Sequence, residues 1–130
     1  MKHLLLLAED NPDDQFLVKR ALRDFQDIQL ETADDGQEAL DIVQAVAPVL
    51  PALVLLDVKM PKLTGLEVLC ILRSRDGMAT LPIVIYSSSD EPKDVAEAER
   101  CRVTEYVLKP VDFDQYVETV QRLVRQYIGS

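Results

Sequence analysis

Carboxylates, hydroxyls and one lysine stand at four places where an apolar run of the chain stops. Glu9-Asp10 follow residues 4–8, Asp57 follows residues 53–56, Ser87-Ser88-Ser89 follow residues 83–86, and Lys109-Pro110 follow residues 106–108. Ligand sites of open parallel sheets form at the carboxyl ends of the strands, so if these runs are strands the four groups converge on one rim. Three carboxylates brought together repel one another unless protons or a cation neutralise them. Oxygen donors with no His or Cys beside them suit a hard cation such as Mg²⁺. A carboxylate in such a place can also act as a nucleophile and become an acyl phosphate. Phosphoryl transfer needs mainly positioning and charge neutralisation. A metal on Glu9 and Asp10, the amine of Lys109 and the hydroxyl of Ser87 would supply them. Singly, each residue also reads as a helix cap, a turn residue or a solvated cation; their joint arrival at strand ends is what points to a site.

The elements that must position them follow from periodicity. Apolar runs of strand length, residues 4–8, 28–32, 53–56, 83–86 and 106–108, alternate with longer amphipathic stretches. The first, third and fourth are continuously apolar, as strands covered on both faces are, whereas the second alternates apolar with polar like an edge strand. Helix starts are marked as well. Asn11-Pro12 is an N-cap followed by a first-turn proline, and Pro92 after Asp90-Glu91 opens the fourth helix in the same way. Asp35 to Glu38, Thr64 to Glu67 and Asp112 to Gln115 have capping-box spacing. The result is a (βα)₅ chain: a five-stranded parallel sheet between two helical layers, with right-handed crossovers. Residues 47–51 form a loop before the third strand.

Composition bounds the rest. At 130 residues the chain has the length of one domain, and 48% hydrophobic with 28% charged residues is the balance of a globular protein. A net charge of −9, with 14 basic residues scattered among 23 acidic ones, argues against nucleic-acid binding. Cys70 and Cys101 form neither a CxxC pair nor a Cys/His metal set and are expected to be reduced packing residues. The leucines after Met1-Lys2-His3 are too few for a secretory signal, and acidic residues follow at once. No stretch approaches the ~20 apolar residues of a membrane span, so a cytoplasmic protein that does not associate with membranes is expected.

With these residues in place, the chain resembles the receiver domains of bacterial response regulators. The resemblance rests on residues 4–10 with Asn11-Pro12, on residues 53–61 around Asp57, on Gly65-Leu66-Glu67, on residues 81–87 and on residues 106–110. It implies a doubly wound, flavodoxin-like sheet of order 2-1-3-4-5 with helices on both faces, and a single receiver domain over residues 1–130. It implies Asp57 as phosphoacceptor and as part of the Mg²⁺ site, Asp10 as a direct Mg²⁺ ligand, Glu9 holding a metal-bound water and the backbone carbonyl of Lys59 as a further ligand. Ser87 takes the place of the switch Ser/Thr, and Tyr106 that of the aromatic residue whose ring follows it. Lys59 and Ser89 would flank the water path to the phosphoryl group, and a lysine at position 59 leaves the lifetime of the acyl phosphate open.

The implied function is that of a two-component response regulator, a phosphoacceptor rather than an enzyme apart from self-catalysed phosphotransfer and dephosphorylation. Its donor would be a sensor histidine kinase; the strings at residues 9–14 and 109–114 look most like single-domain regulators that partner phytochrome-type kinases. No effector domain is expected after the last helix, so output would pass to a downstream protein or through a homodimer. The expected face is the fourth helix, fifth strand and fifth helix, with Leu123 and Ile128 as exposed edges of the final helix's apolar stripe. Three rivals stand against this reading. A nucleotide- or flavin-binding protein would need a phosphate-cradling loop where Glu9-Asp10 lie. An aspartyl-phosphate hydrolase would carry an Asp where Lys59 stands. The third is a phosphorylation-independent pseudo-receiver acting as an interaction module.

Overall fold

The computed structural model describes residues 2–129. Five strands run in the order β1 (His3–Ala8), β2 (Ile28–Ala33), β3 (Leu53–Leu56), β4 (Ile83–Ser87) and β5 (Glu105–Leu108). Between and after them come α1 (Pro12–Ala21), α2 (Gly36–Val46), α3 (Gly65–Ser74), α4 (Pro92–Arg100) and α5 (Phe113–Tyr127). A 3₁₀ turn, Leu22–Asp24, extends α1. The strands are all parallel and lie in the order β2-β1-β3-β4-β5.

Alternation of side chains along each strand explains the two apolar layers. Leu6, Ala8, Val54, Leu56, Ile83 and Ile85 pack with residues of α2, α3 and α4, while Leu5, Leu7, Leu53, Leu55, Val84 and Tyr86 pack with residues of α1 and α5. Every residue of β3 and β4 is buried, which is why those runs read as continuously apolar. β2 lies at the sheet edge and is for the most part only partly buried.

The helix starts use the side chains the sequence offered. Asn11 accepts from the Asp13 N–H (2.8 Å) ahead of Pro12. At α3 the capping box closes both ways, with Glu67 N–H donating to Thr64 Oγ1 (3.1 Å) and Thr64 N–H to Glu67 Oε1 (2.9 Å). At α2 only half of the expected box forms, because Glu38 accepts from the Asp34 N–H instead of that of the cap, Asp35. At α5, Asp112 accepts from the N–H groups of Asp114 and Gln115, with no return bond from the Gln115 side chain. α4 starts at Pro92 with no side-chain cap.

Two expectations are corrected. Leu123 is fully buried, because α5 packs on α1 as well as on the sheet and so covers a wider stripe than a sheet alone would. Ile128 is partly buried, beyond the end of the helix. The apolar residues left exposed are instead Leu108, Val111 and Phe113 around the β5–α5 connection, with Phe16 on α1 and Val49 before β3. Cys70 and Cys101 are joined as a disulfide between α3 and the end of α4, their Cα atoms 5.1 Å apart. Sequence spacing alone could not show that α3 and α4 lie side by side and turn the two sulfurs toward each other.

At the amino end of the β4 and β5 strands a buried arginine takes the place of apolar packing. The Arg73 guanidinium donates to the carbonyls of Arg102 (3.0 Å), Met78 (2.8 Å) and Leu81 (2.7 Å) and to Thr104 Oγ1 (3.1 Å). No helix among the described residues is long and apolar enough to cross a membrane.

The disulfide joins residues 31 apart, so breaking it enlarges the unfolded ensemble by about 2–4 kcal/mol of chain entropy. Urea unfolding should therefore show a lower midpoint for the Cys70→Ser/Cys101→Ser variant than for the parent. Added reductant should lower the parent's midpoint toward the variant's and leave the variant unchanged.

Candidate functional site

The strand ends deliver Glu9, Asp10, Asp57 and Lys109 to one cleft, while Ser87 is buried behind it and Ser88 takes its place in the lining. The cleft is lined by Glu9, Asp10, Asp14, Asp57, Lys59, Ser88, Lys109 and Tyr116, with apolar walls that include Leu17, Val111 and Phe113. Backbone bonds fix the approach: Asp57 N–H donates to the Ala8 carbonyl (3.0 Å), Glu9 N–H to that of Ala33 (2.9 Å) and Lys109 N–H to that of Ser87 (2.8 Å). Each ties one strand end to its neighbour just where the polar residue begins. Gly65 matters here, since a Cβ at that position would collide with the Asp57 carbonyl oxygen. Only glycine lets the start of α3 come this close to the Asp57 backbone.

Carboxylate oxygens of Glu9, Asp10 and Asp57 all lie within 4.8 Å of one another. Glu9 is buried, Asp57 half-buried and Asp10 exposed. The donor set is all oxygen, with an open exposed side, which fits a hard divalent cation that keeps part of its water. Lys109 Nζ reaches Glu9 Oε1 (2.5 Å), Asp14 Oδ2 (3.2 Å) and Asp57 Oδ2 (3.4 Å). Glu9 Oε2 also accepts from the Asn11 N–H (3.1 Å), and Asp57 Oδ1 from the Val58 N–H (2.8 Å).

Burial pushes the Glu9 carboxyl up to about 7, against the pull of Lys109 and with the help of the Asp57 charge. Burial also works against the charged form of Lys109, but the ion pairs with Glu9, Asp57 and Asp14 outweigh it and raise the amine's pKa. The Tyr106 phenol is raised by burial and by the charges of Asp94, Asp90, Asp57 and Glu91.

Ser87 and Tyr106 meet at a third residue, Ser89. Ser87 is buried, and its Oγ accepts from the Ser89 N–H (3.1 Å). Tyr106 hydroxyl donates to the Ser89 carbonyl, and Ser89 Oγ donates to Asp94 Oδ2 (3.0 Å) in the first turn of α4. Ser89 therefore does not flank the cleft as expected; it is buried in the β4–α4 loop, and Ser88 is the serine that lines the cleft. Lys59 is exposed at the rim.

Three participants were not singled out in the sequence. Asp14, in the first turn of α1, joins the ion-pair cluster, and Tyr116 of α5 closes the cleft floor. Gln15 Nε2 donates to the Glu9 carbonyl (2.6 Å) and to Asp34 Oδ1 (2.9 Å). Asp14 had a signal in its position one helical turn beyond Asp10. For Tyr116 and Gln15 only the docking of their helices creates the contact.

Residues 5–121 match the family model of the response regulator receiver domain. The chain belongs to that family. The probable methanogenesis regulatory protein FilR2 of Methanothrix harundinacea is 30% identical over 97% of this chain and 84% of its own. Other curated relatives are longer: the chain spans 25% of the Escherichia coli regulatory protein AtoC and 51% of the Mycobacterium tuberculosis regulator KdpE. Among solved structures, the phosphorylated cyanobacterial phytochrome response regulator RcpA superposes with a TM-score of 0.91 at 26% identity, covering 98% of this chain and 95% of its own. The Mn²⁺-bound form of the response regulator Rcp1 gives 0.85 at 27% identity, covering 95% and 92%. The receiver is thus homologous to two-component regulators, a signalling family whose members work with sensor histidine kinases, and a phosphoacceptor role fits that family.

The raised Glu9 pKa has a sign that can be tested. Between about 4.5 and 7 the folded receiver without divalent cation binds a proton that the unfolded chain has lost, so stability falls as pH rises through this window. Urea midpoints in EDTA should correspond to a loss on the order of 1–2 kcal/mol from pH 4.5 to 7.5. Glu9→Gln should flatten that slope.

Proposed function

We propose that this receiver is phosphorylated on Asp57 by a histidine kinase in a Mg²⁺-dependent reaction, and that the phosphoryl group changes a protein-interaction face. The observation that carries the reading is the meeting of the Glu9, Asp10 and Asp57 carboxylates within 4.8 Å, with Lys109 Nζ 3.4 Å from Asp57. One Asp57 oxygen attacks phosphorus as the P–N bond of the donor phosphohistidine breaks, and the imidazole leaves with the bonding pair. Glu9, Asp10 and Asp57, with the Lys59 carbonyl, would hold the cation, which neutralises negative charge on the phosphoryl oxygens when bound. Lys109 supplies the second positive charge from the protein itself.

Ser87 and Tyr106 form the switch in this reading. Drawing the Ser87 hydroxyl toward a phosphoryl oxygen pulls on the Ser89 N–H, and the Ser89 carbonyl is where Tyr106 is anchored. A pull on one loop residue thus reaches both β5 and, through Asp94, α4. The acyl phosphate also decays in the receiver's own site, by water attack that Lys59 overlooks from the rim.

The partner is read as a phytochrome-type kinase, supported by the likeness to RcpA and by the strings at residues 9–14 and 109–114. Output passes to a downstream protein or to a second copy through α4, β5 and α5. Leu108, 49% exposed, is the apolar anchor on that face, in place of the buried Leu123.

Phosphate incorporation from a small acyl phosphate should fall to background in Asp57→Asn and in parent protein treated with EDTA; incorporation that survives either would overturn the reading. For the homodimer, light scattering with beryllofluoride and Mg²⁺ should show a dimer that Leu108→Glu dissociates while Asp57 still accepts phosphate.

A further inference from the structure

Lys109 is saturated in the resting receiver. An ammonium has three N–H donors, and three carboxylates, Glu9, Asp14 and Asp57, already surround it. A phosphoryl group on Asp57 brings further acceptors to the same amine, so one of the present bonds must be released. Glu9 is the poorest candidate for release, because its side chain is 2% exposed and no water would replace the amine. Asp57 is the residue being modified. Asp14 pairs at 3.2 Å and its side chain is 21% exposed, which makes it the least costly partner to give up.

A second observation bears on Asp14. The Tyr116 side chain is 3% exposed, lies on the cleft floor with Asp14 and Lys109, and its hydroxyl is buried without a hydrogen-bond partner. A buried donor left unpaired costs about 1–3 kcal/mol, so an unpaired one invites an explanation. Burial first, then the Asp14 charge and the approach of that carboxylate to the hydroxyl, raise the phenol's pKa and keep it a donor; Asp14 thus already stands beside Tyr116 without making a bond of normal geometry to it. The Tyr116 backbone is fixed by the Tyr86 hydroxyl, which donates to the Tyr116 carbonyl (3.2 Å), and by the Tyr86–Tyr116 ring contact at 5.0 Å.

We propose that Asp14 is a positioning residue that holds Lys109 in the resting state, and that it passes from Lys109 to the Tyr116 hydroxyl when the amine turns to the phosphoryl group on Asp57. The exchange trades one bond for another: Asp14 loses the ammonium and gains the phenol, the phenol loses its unpaired state, and Lys109 keeps three acceptors throughout. Asp14 thereby competes with the phosphoryl group for Lys109, and Tyr116 weakens the competition. The inference rests on Asp57 being the phosphoacceptor.

The test is a thermodynamic cycle on beryllofluoride affinity, followed by NMR at saturating Mg²⁺. Asp14→Asn, which keeps the shape and removes the charge, should tighten binding by about tenfold. Tyr116→Phe should weaken it by about threefold, and that effect should vanish in the Asp14→Ala background. Affinity of Asp14→Asn within twofold of the parent overturns the proposal. So does a Tyr116→Phe effect that is absent, or one that persists without Asp14, which would mark Tyr116 as a packing residue alone. Failure of the parent to bind beryllofluoride, or equal binding by Asp57→Asn, overturns the phosphoacceptor reading and the exchange with it. A parent that binds while the cycle shows no coupling leaves Asp57 in place and removes only the exchange.

Discussion

Negative charge gathered at one end of a parallel sheet is the constraint around which this receiver is built. Glu9, Asp10, Asp14 and Asp57 share the rim, and Lys109 is the cation paired with three of them. Such a cluster repels itself, and burial of Glu9 makes the charged state harder to hold. The fold answers by fixing the backbone under each charge. Strand-end bonds from Asp57, Glu9 and Lys109 tie β3 to β1, β1 to β2 and β5 to β4, and Gly65 lets α3 close over the Asp57 carbonyl. The cluster is therefore held rigidly while it stays electrostatically unsatisfied, a condition that favours binding of a cation and of an anion together.

The same division of labour runs through the sheet. Its carboxyl end carries charge and is open; its amino end is closed by Arg73, whose bonds to three carbonyls and to Thr104 hold the turns around β4 and β5. Between them the apolar layers above and below the sheet leave little freedom in β3 and β4, both wholly buried. The loops after the strands and α4, whose one buried residue is Ala98, are less firmly packed than the strands.

The strands were legible in the sequence because burial on both faces writes a continuous apolar run, and the edge strand because it does not. Residues 4–8, 28–32, 53–56, 83–86 and 106–108 fall within the observed strands to one residue at each end. The rim residues were legible for the same reason: a polar residue directly after such a run has one place to go. Contacts between elements distant in sequence were not legible. Leu123 looked like the edge of a stripe because its second neighbour, α1, is 100 residues away in the chain, as the Gln121 bond to Ala21 shows. Cys70 with Cys101, Arg73 with Arg102, and Asp14 with Lys109 are pairings of the same kind, invisible until helices are docked. Ser89 was misplaced because a run of three serines does not say which hydroxyl turns inward.

The disulfide gives α4 a geometry of motion. Its carboxyl end is pinned to α3 through Cys101, whereas at its amino end Asp94 accepts from Ser89 Oγ in a loop that Tyr106 holds by its bond to the Ser89 carbonyl. A rod fastened at one end swings and does not slide. At 1.5 Å per residue, the nine residues of α4 make a lever about 14 Å long with its fulcrum at Cys101. A small rotation there is multiplied along the helix, so the largest displacement falls at its amino end, beside Glu91, and the smallest at Cys101. Opening the disulfide would take away the fulcrum and let a force on the amino end of α4 shift the whole helix.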